Sequence, residues 1–132
     1  MIQTDNRPIY VRLADQICDR ILMNDYLELS RIPSVREYAV SQQVNPATAA
    51  RAFEILERNG IVFNKRGLGF FVSQDAKSII RSMRMQTLLS EESKLFFSRI
   101  SVIGITPKQL REMYSKYLAT KNTDEDASQT KA

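Results

Sequence analysis

The residues of this chain best suited to chemistry are cations set among small or flexible neighbours. The chemistry they suit is recognition of an anion or a base edge, not the making of bonds. Ala47, Thr48 and Arg51 fall near the start of a helix predicted between Asn45 and Gly60, away from its apolar side. Small side chains beside one arginine let such a helix approach the floor of a major groove closely. Lys65 and Arg66 precede Gly67 and Gly69; two cations with two flexible glycines could follow a phosphate backbone or enter a minor groove. Arg36 stands in the first turn of another predicted helix. A cation there slightly opposes the helix dipole, and a nearby phosphate would give it a reason to be present. Each group also has a plainer explanation as a solvated arginine, a solubilising hairpin tip or an ordinary capped surface helix. Only their order along the chain can separate these readings.

Bond-making chemistry lacks its parts. The chain has no histidine and one cysteine, Cys18, so an internal disulfide is excluded and the usual zinc sites and histidine-based triads have no ligands. Cys18 follows Ile17 with no cation one turn away to lower its pKa, and reads as a small packing residue. Gly67-Leu68-Gly69 is too short for a phosphate-cradling loop. No metal, cofactor or catalytic residue is expected, and the chain is not expected to be an enzyme. Apolar runs never exceed three residues, so no membrane span or signal-peptide core is expected and the cytoplasm is the expected location.

The net charge of +4 matters less than where it lies. Residues 1–75 hold nine basic and nine acidic groups, while residues 77–121 hold nine basic and three acidic. Within the neutral part, residues 1–30 carry three basic against five acidic groups and residues 31–66 six against three. A basic face on a dipolar module is therefore expected.

The elements that must position these cations follow from periodicity and caps. Pro8 opens a first predicted helix to about Asn24, with Tyr10, Leu13, Ile17 and Ile21 at helical spacing. Its Asp15, Asp19 and Asp25 suit it to scaffold, not to phosphate. After a polar connection over residues 26–31, Ser34 and Glu37 form a capping-box pattern for a helix from Val35 to about Gln43. A brief turn leads to Asn45 as N-cap and Pro46 at the first helical position, with Ala49, Ala52, Phe53 and Leu56 as the core-facing stripe and Gly60 as the left-handed stop. Two capped helices joined this tightly form a helix-turn-helix. Ile61-Val62-Phe63 and Phe70-Phe71-Val72 then bracket the glycine-bearing loop as a β-hairpin. Three helices and a hairpin in this order make a winged helix.

Several stretches along this order resemble the N-terminal domain of GntR-family bacterial transcription regulators. They are Pro8-Ile9-Tyr10, Ile32-Pro33-Ser34 with Arg36-Glu37, Val44-Asn45-Pro46 with Thr48 and Arg51-Ala52, and Arg66-Gly67 with Gly69 and Phe71-Val72. The resemblance covers residues 8–72 with spacings intact. It implies operator DNA as the partner, bound as a dimer, with contacts at Ser34, Arg36, Asn45, Ala47, Thr48, Arg51, Lys65, Arg66, Gly67 and Gly69. Many members carry arginine where this chain has Pro46 and Ala50, which shifts base readout toward Arg51. The Asn-Pro helix start is similar to the YtrA subfamily in particular.

Residues 76–120 are expected to form a two-helix dimerisation segment. Ile79, Ile80, Met83, Leu88, Leu89, Leu95, Phe96 and Ile100 mark the first helix. Gly104 interrupts it, and Thr106-Pro107 opens a second carrying Leu110, Met113, Tyr114, Tyr117 and Leu118. Two such helices cannot enclose a core, so Ile80, Met83, Leu88, Leu95, Phe96, Leu110, Met113, Tyr114 and Tyr117 are expected to meet a second copy. Folding back onto the winged helix is the alternative. Lys77, Arg81 and Arg84 share one helical face that flanks DNA or is simply solvated. The polar residues 121–132 are expected to be disordered.

The expected fold is thus mainly α with a small β-hairpin, a winged helix-turn-helix over residues 1–75 followed by the two-helix segment. The expected function is a homodimeric repressor on an inverted-repeat operator, with control of a transporter operon suggested by the subfamily resemblance alone. A winged-helix adaptor that docks a protein and reads no DNA is the alternative. No sizeable ligand pocket can be argued from these residues, and neither the operator sequence nor an effector ligand is legible in them.

Overall fold

Apolar residues at three- and four-residue spacing do form helices here, and where their stripes meet decides the fold. The computed structural model describes residues 5–130, with side chains as far as Thr123; residues 1–4 of the expected loose start and residues 131–132 of the expected disordered tail lie outside the described residues. In order come α1 (Ile9–Leu22), α2 (Val35–Gln42), α3 (Pro46–Arg58), β1 (Val62–Lys65), β2 (Gly69–Val72), α4 (Ala76–Thr87), a kinked turn (Leu88–Glu92), α5 (Ser93–Ile103) and α6 (Pro107–Thr130). These group into two units, Met1–Gln86 and Thr87–Ala132.

The first unit is a winged helix-turn-helix. α1 buries Leu13, Ala14, Ile17, Cys18 and Ile21, and α3 buries Ala49, Ala52, Phe53 and Leu56. α2 adds Tyr38 and Ala39. The Phe53 ring lies 5.9 Å from that of Tyr38 and 5.0 Å, edge to face, from that of Phe70. The helix-turn-helix bend places Gln43 in the left-handed region (φ 56°), where the Val44 N–H donates to the Ala39 carbonyl at 3.0 Å. Gly60 (φ 76°) ends α3 and admits the hairpin, whose antiparallel strands pair Val62 with Val72 and Lys65 with Gly69.

The connection expected as a plain loop before α2 is a third partner of the hairpin. Leu29 and Ile32 donate to the carbonyls of Val72 and Phe70 at 2.8 and 3.0 Å, Val72 donates to Ser30 at 2.9 Å, and Arg31 bridges Phe71. No side-chain pattern announces the pairing, because an edge segment needs only backbone donors and acceptors.

The unit also extends one helix further than expected. Ile80, expected at a subunit interface, is 1% exposed and belongs to the same core as Ala76, Val72 and Leu56. Ala76 and Ile80 form the inner i, i+4 edge of α4, so the boundary falls near Gln86, not residue 75. The cationic stripe is likewise largely occupied. Arg84 pairs with Asp19 at 2.7 Å and donates to the Asp15 carbonyl at 3.2 Å. The Lys77 ammonium donates to Asn24, and the Lys77 backbone N–H donates to Glu28 at 3.3 Å. Arg81 is exposed.

In the second unit the chain kinks at Ser90, and Gly104 (φ 89°) closes α5. Thr106 and Gln109 form a reciprocal capping box at 2.9 and 3.2 Å that starts α6. The tail expected to be disordered from residue 121 continues as helix to Thr130. No glycine or proline follows Pro107 to stop it, and Thr120 and Thr123 satisfy their hydroxyls on carbonyls one turn back, each at 3.0 Å.

Two outcomes follow. Ile80→Ala should cost about 2–4 kcal/mol of unfolding free energy in urea, by the same amount at every protein concentration; a loss that disappears at high concentration would return Ile80 to an interface. Burial pushes the Cys18 thiol up to about 11, outweighing the opposing field of Arg84. Native protein at pH 8 should therefore react with a thiol reagent only after urea is added, and prompt native labelling would contradict this.

Candidate nucleic-acid interface

The exposed start of α3 is built by its cap. The Asn45 side-chain oxygen accepts the Ala47 N–H at 2.8 Å, and Pro46 occupies the first helical position. That oxygen is spent on the backbone, so a contact from Asn45 to phosphate falls to its amide N–H donors. Ala47 is exposed, Thr48 and Ala50 are half-buried, and Arg51 is exposed with its guanidinium carbon 4.4 Å from the centre of the Tyr10 ring. Ala49 and Ala52 turn the opposite side of the helix into the core.

At the start of α2, Ser34 Oγ accepts the Glu37 N–H at 3.1 Å, which leaves its own O–H as a donor. The Glu37 carboxylate lies 3.8 Å from the Arg31 guanidinium instead of closing the reciprocal half of the capping box. Arg36 is exposed, as its place in the first turn requires.

The wing differs from expectation in which side chains occupy its tip. Lys65 is the last residue of β1, and its ammonium lies 4.9 Å from the ring centre of Phe71 and 5.8 Å from that of Phe63. The two rings stack at 5.8 Å. Lys65 is thus drawn back along the strand by cation–π attraction, and the turn itself carries Arg66, Gly67 and Leu68. Gly69 adopts φ 107°, and a Cβ there would stand 3.1 Å from Arg31 Nε. Glycine therefore serves both the backbone and the arginine laid across it.

Two residues of this surface escape a reading by spacing. Arg31 joins it through the bridge to Phe71, a contact with no periodic signal. Leu68, 62% exposed at the hairpin tip, carries only the signal of being apolar where a turn is polar.

The charges of the first unit are unevenly paired among the described residues. Asp15 and Asp19 of α1 pair with Arg7 and Arg84, while Arg36, Arg51, Lys65 and Arg66 are exposed and make no ion pair among the described residues. Such cations suit phosphate oxygens and, for an arginine near a helix start, guanine O6 and N7. The residues expected to touch DNA thus all lie on α2, α3, their N-caps and the wing of one unit. Of the set expected at a subunit interface, Met83, Leu88, Leu95, Phe96, Met113, Tyr114 and Tyr117 are exposed, Leu110 is half-buried, and Ile80 is removed to the core.

Comparison with known proteins agrees with this geometry. The family described as "Bacterial regulatory proteins, gntR family" matches residues 9–72. The HTH-type transcriptional regulator YhcF of Bacillus subtilis is 35% identical over 107 residues, covering 81% of this chain and 87% of YhcF. The HTH-type transcriptional repressor YtrA of the same organism is 33% identical over 115 residues, covering 85% of this chain and 88% of YtrA. The crystal structure of a GntR-family regulator from Bacteroides thetaiotaomicron is 43% identical, with a TM-score of 0.73 over 86% of this chain and 99% of that one. Among the described residues no helix is long and apolar enough to cross a membrane. The chain belongs to the gntR family of bacterial regulatory proteins and is a DNA-binding transcriptional regulator of that family.

Proposed function

We propose that this regulator is a cytoplasmic homodimeric repressor that reads an inverted-repeat operator through α3 and holds the flanking backbone through the wing. One observation carries the dimer. Among the described residues of the second unit only Ser93 is buried, while Leu88, Leu95, Phe96, Met113, Tyr114 and Tyr117 are exposed. Apolar side chains without a core of their own favour a second copy of the same surface. A two-fold pair of recognition helices then favours half-sites about 10 bp apart, or a multiple of that. Repression is supported by the likeness to YtrA, whose name records that activity. A transporter operon is the proposed target class, by the subfamily resemblance alone.

Within each half-site, Arg51 supplies base readout. Ser34, Arg36, Asn45, Thr48, Lys65 and Arg66 contact the backbone, where Ala47, Gly67 and Gly69 allow close approach. Selection from random duplex DNA, with light scattering of the complex, should return a palindrome bound by two chains; a single chain indifferent to base order would overturn the proposal. On the selected site Arg51→Ala should lose about 1–3 kcal/mol of discrimination against a scrambled duplex. Arg66→Ala should weaken both duplexes alike and reduce the slope of log affinity against log salt by about 1. An unchanged slope would remove Arg66 from the backbone contacts.

A further inference from the structure

Tyr10 is the second residue of α1, far in sequence from the helix that reads DNA, yet its ring lies under the guanidinium of Arg51. The separation of 4.4 Å is the shortest cation–ring distance among the described residues; Lys65 over Phe71 follows at 4.9 Å and Arg20 over Tyr26 at 5.6 Å. The ring itself is anchored. Tyr10 is half-buried and packs against the core, and the next two residues donate to the Pro8 carbonyl at 3.1 and 3.2 Å.

The neighbourhood makes the ring's role specific. Arg51 shares a cleft with Tyr10, Val11, Glu54, Ile55 and Arg58. Glu54 is three residues on along the same helix, the position from which a carboxylate ordinarily pairs with an arginine. Among the described residues Arg51 nevertheless forms no ion pair. A carboxylate would occupy the planar fork of N–H donors that a guanine requires, whereas an aromatic face attracts the charge and takes none of those hydrogens.

We infer that Tyr10 is a positioning residue for base readout, holding Arg51 in one place with its donor fork unoccupied before DNA arrives. This rests on the reading of Arg51 as the base contact. Without the ring, Arg51 samples more rotamers and becomes available to Glu54, so binding to the correct base must first undo that pairing and ordering. Contacts to phosphate from the wing do not pass through Tyr10.

The experiment measures the affinity ratio between the duplex selected by the wild-type chain and a scrambled duplex, with urea midpoints recorded alongside. Two ring-free replacements, Y10L and Y10M, are used so that a folding defect in one does not decide the result; Y10F keeps an aromatic face. The ratio is expected to fall about two- to fivefold per half-site in Y10L and Y10M, to remain at the wild-type value in Y10F, and to show no further fall when Y10L is combined with R51A. Affinity for the scrambled duplex should not change. If Y10L and Y10M keep the wild-type ratio, or Y10L lowers it equally in the R51A background, Tyr10 does not act through Arg51 and the inference fails while DNA reading stands. A wild-type chain with no preference between the duplexes overturns both.

Discussion

Burial of the Phe53 side of α3 is the constraint from which the rest of the first unit follows. The Phe53 ring touches Tyr38 of α2 and Phe70 of β2, and α1 packs Ile17 and Ile21 into the same core. The bracing helix, the recognition helix and the wing therefore share one apolar seat. Because interiors pack at crystal-like density, none of the three can shift without disturbing the others. The distance between the cationic tip of the wing and the start of α3 is thereby set by carbon contacts, not by the polar residues that use it. Ala49 and Ala52 on the same stripe keep α3 close to its neighbours, and the small Ala47 on the other side leaves room for an incoming surface.

Charge is arranged on this frame by pairing. The two carboxylates of α1 would disfavour an approaching polyanion, and both are matched, by Arg7 and Arg84. Exposed ion pairs of this kind contribute at most about 1 kcal/mol each to stability, so their consequence lies more in the field than in the fold. Three cations on or beside α3 and the wing are held differently. Arg31 faces a carboxylate at the loose distance of 3.8 Å, and Lys65 and Arg51 lie over aromatic rings. A ring holds a cation without consuming its hydrogens, which keeps these side chains ordered and still able to donate.

The second unit follows another rule. Its helices are well started, by the Thr106–Gln109 capping box in α6, and well stopped, by Gly104 in α5. Most of their apolar residues stay exposed all the same. Local signals suffice to make these helices without burying their apolar faces.

Much of the fold and of the candidate site was legible from residues one to four positions apart. The caps at Ser34 and Asn45, the stripe from Ala49 to Leu56 and the glycine-bearing hairpin loop all depend on contacts within a turn of helix or across one tight turn, and spacing records such contacts directly. The assignment of Ile80 to the core, the pairing of residues 29–32 with the hairpin, the partners of Arg84 and the seat of Arg51 on Tyr10 join segments distant in the chain. An apolar stripe states that it must be covered without naming the cover, and an arginine carries the same charge whichever ring or carboxylate lies nearby. The continuation of α6 through polar residues was missed for a related reason, since a solvated helix needs no stripe. Sequence alone determined where most of the elements start and which side of each is apolar; the tertiary structure decided which sides meet and which cations remain available, because those outcomes depend on distances between residues that the order of the chain does not contain.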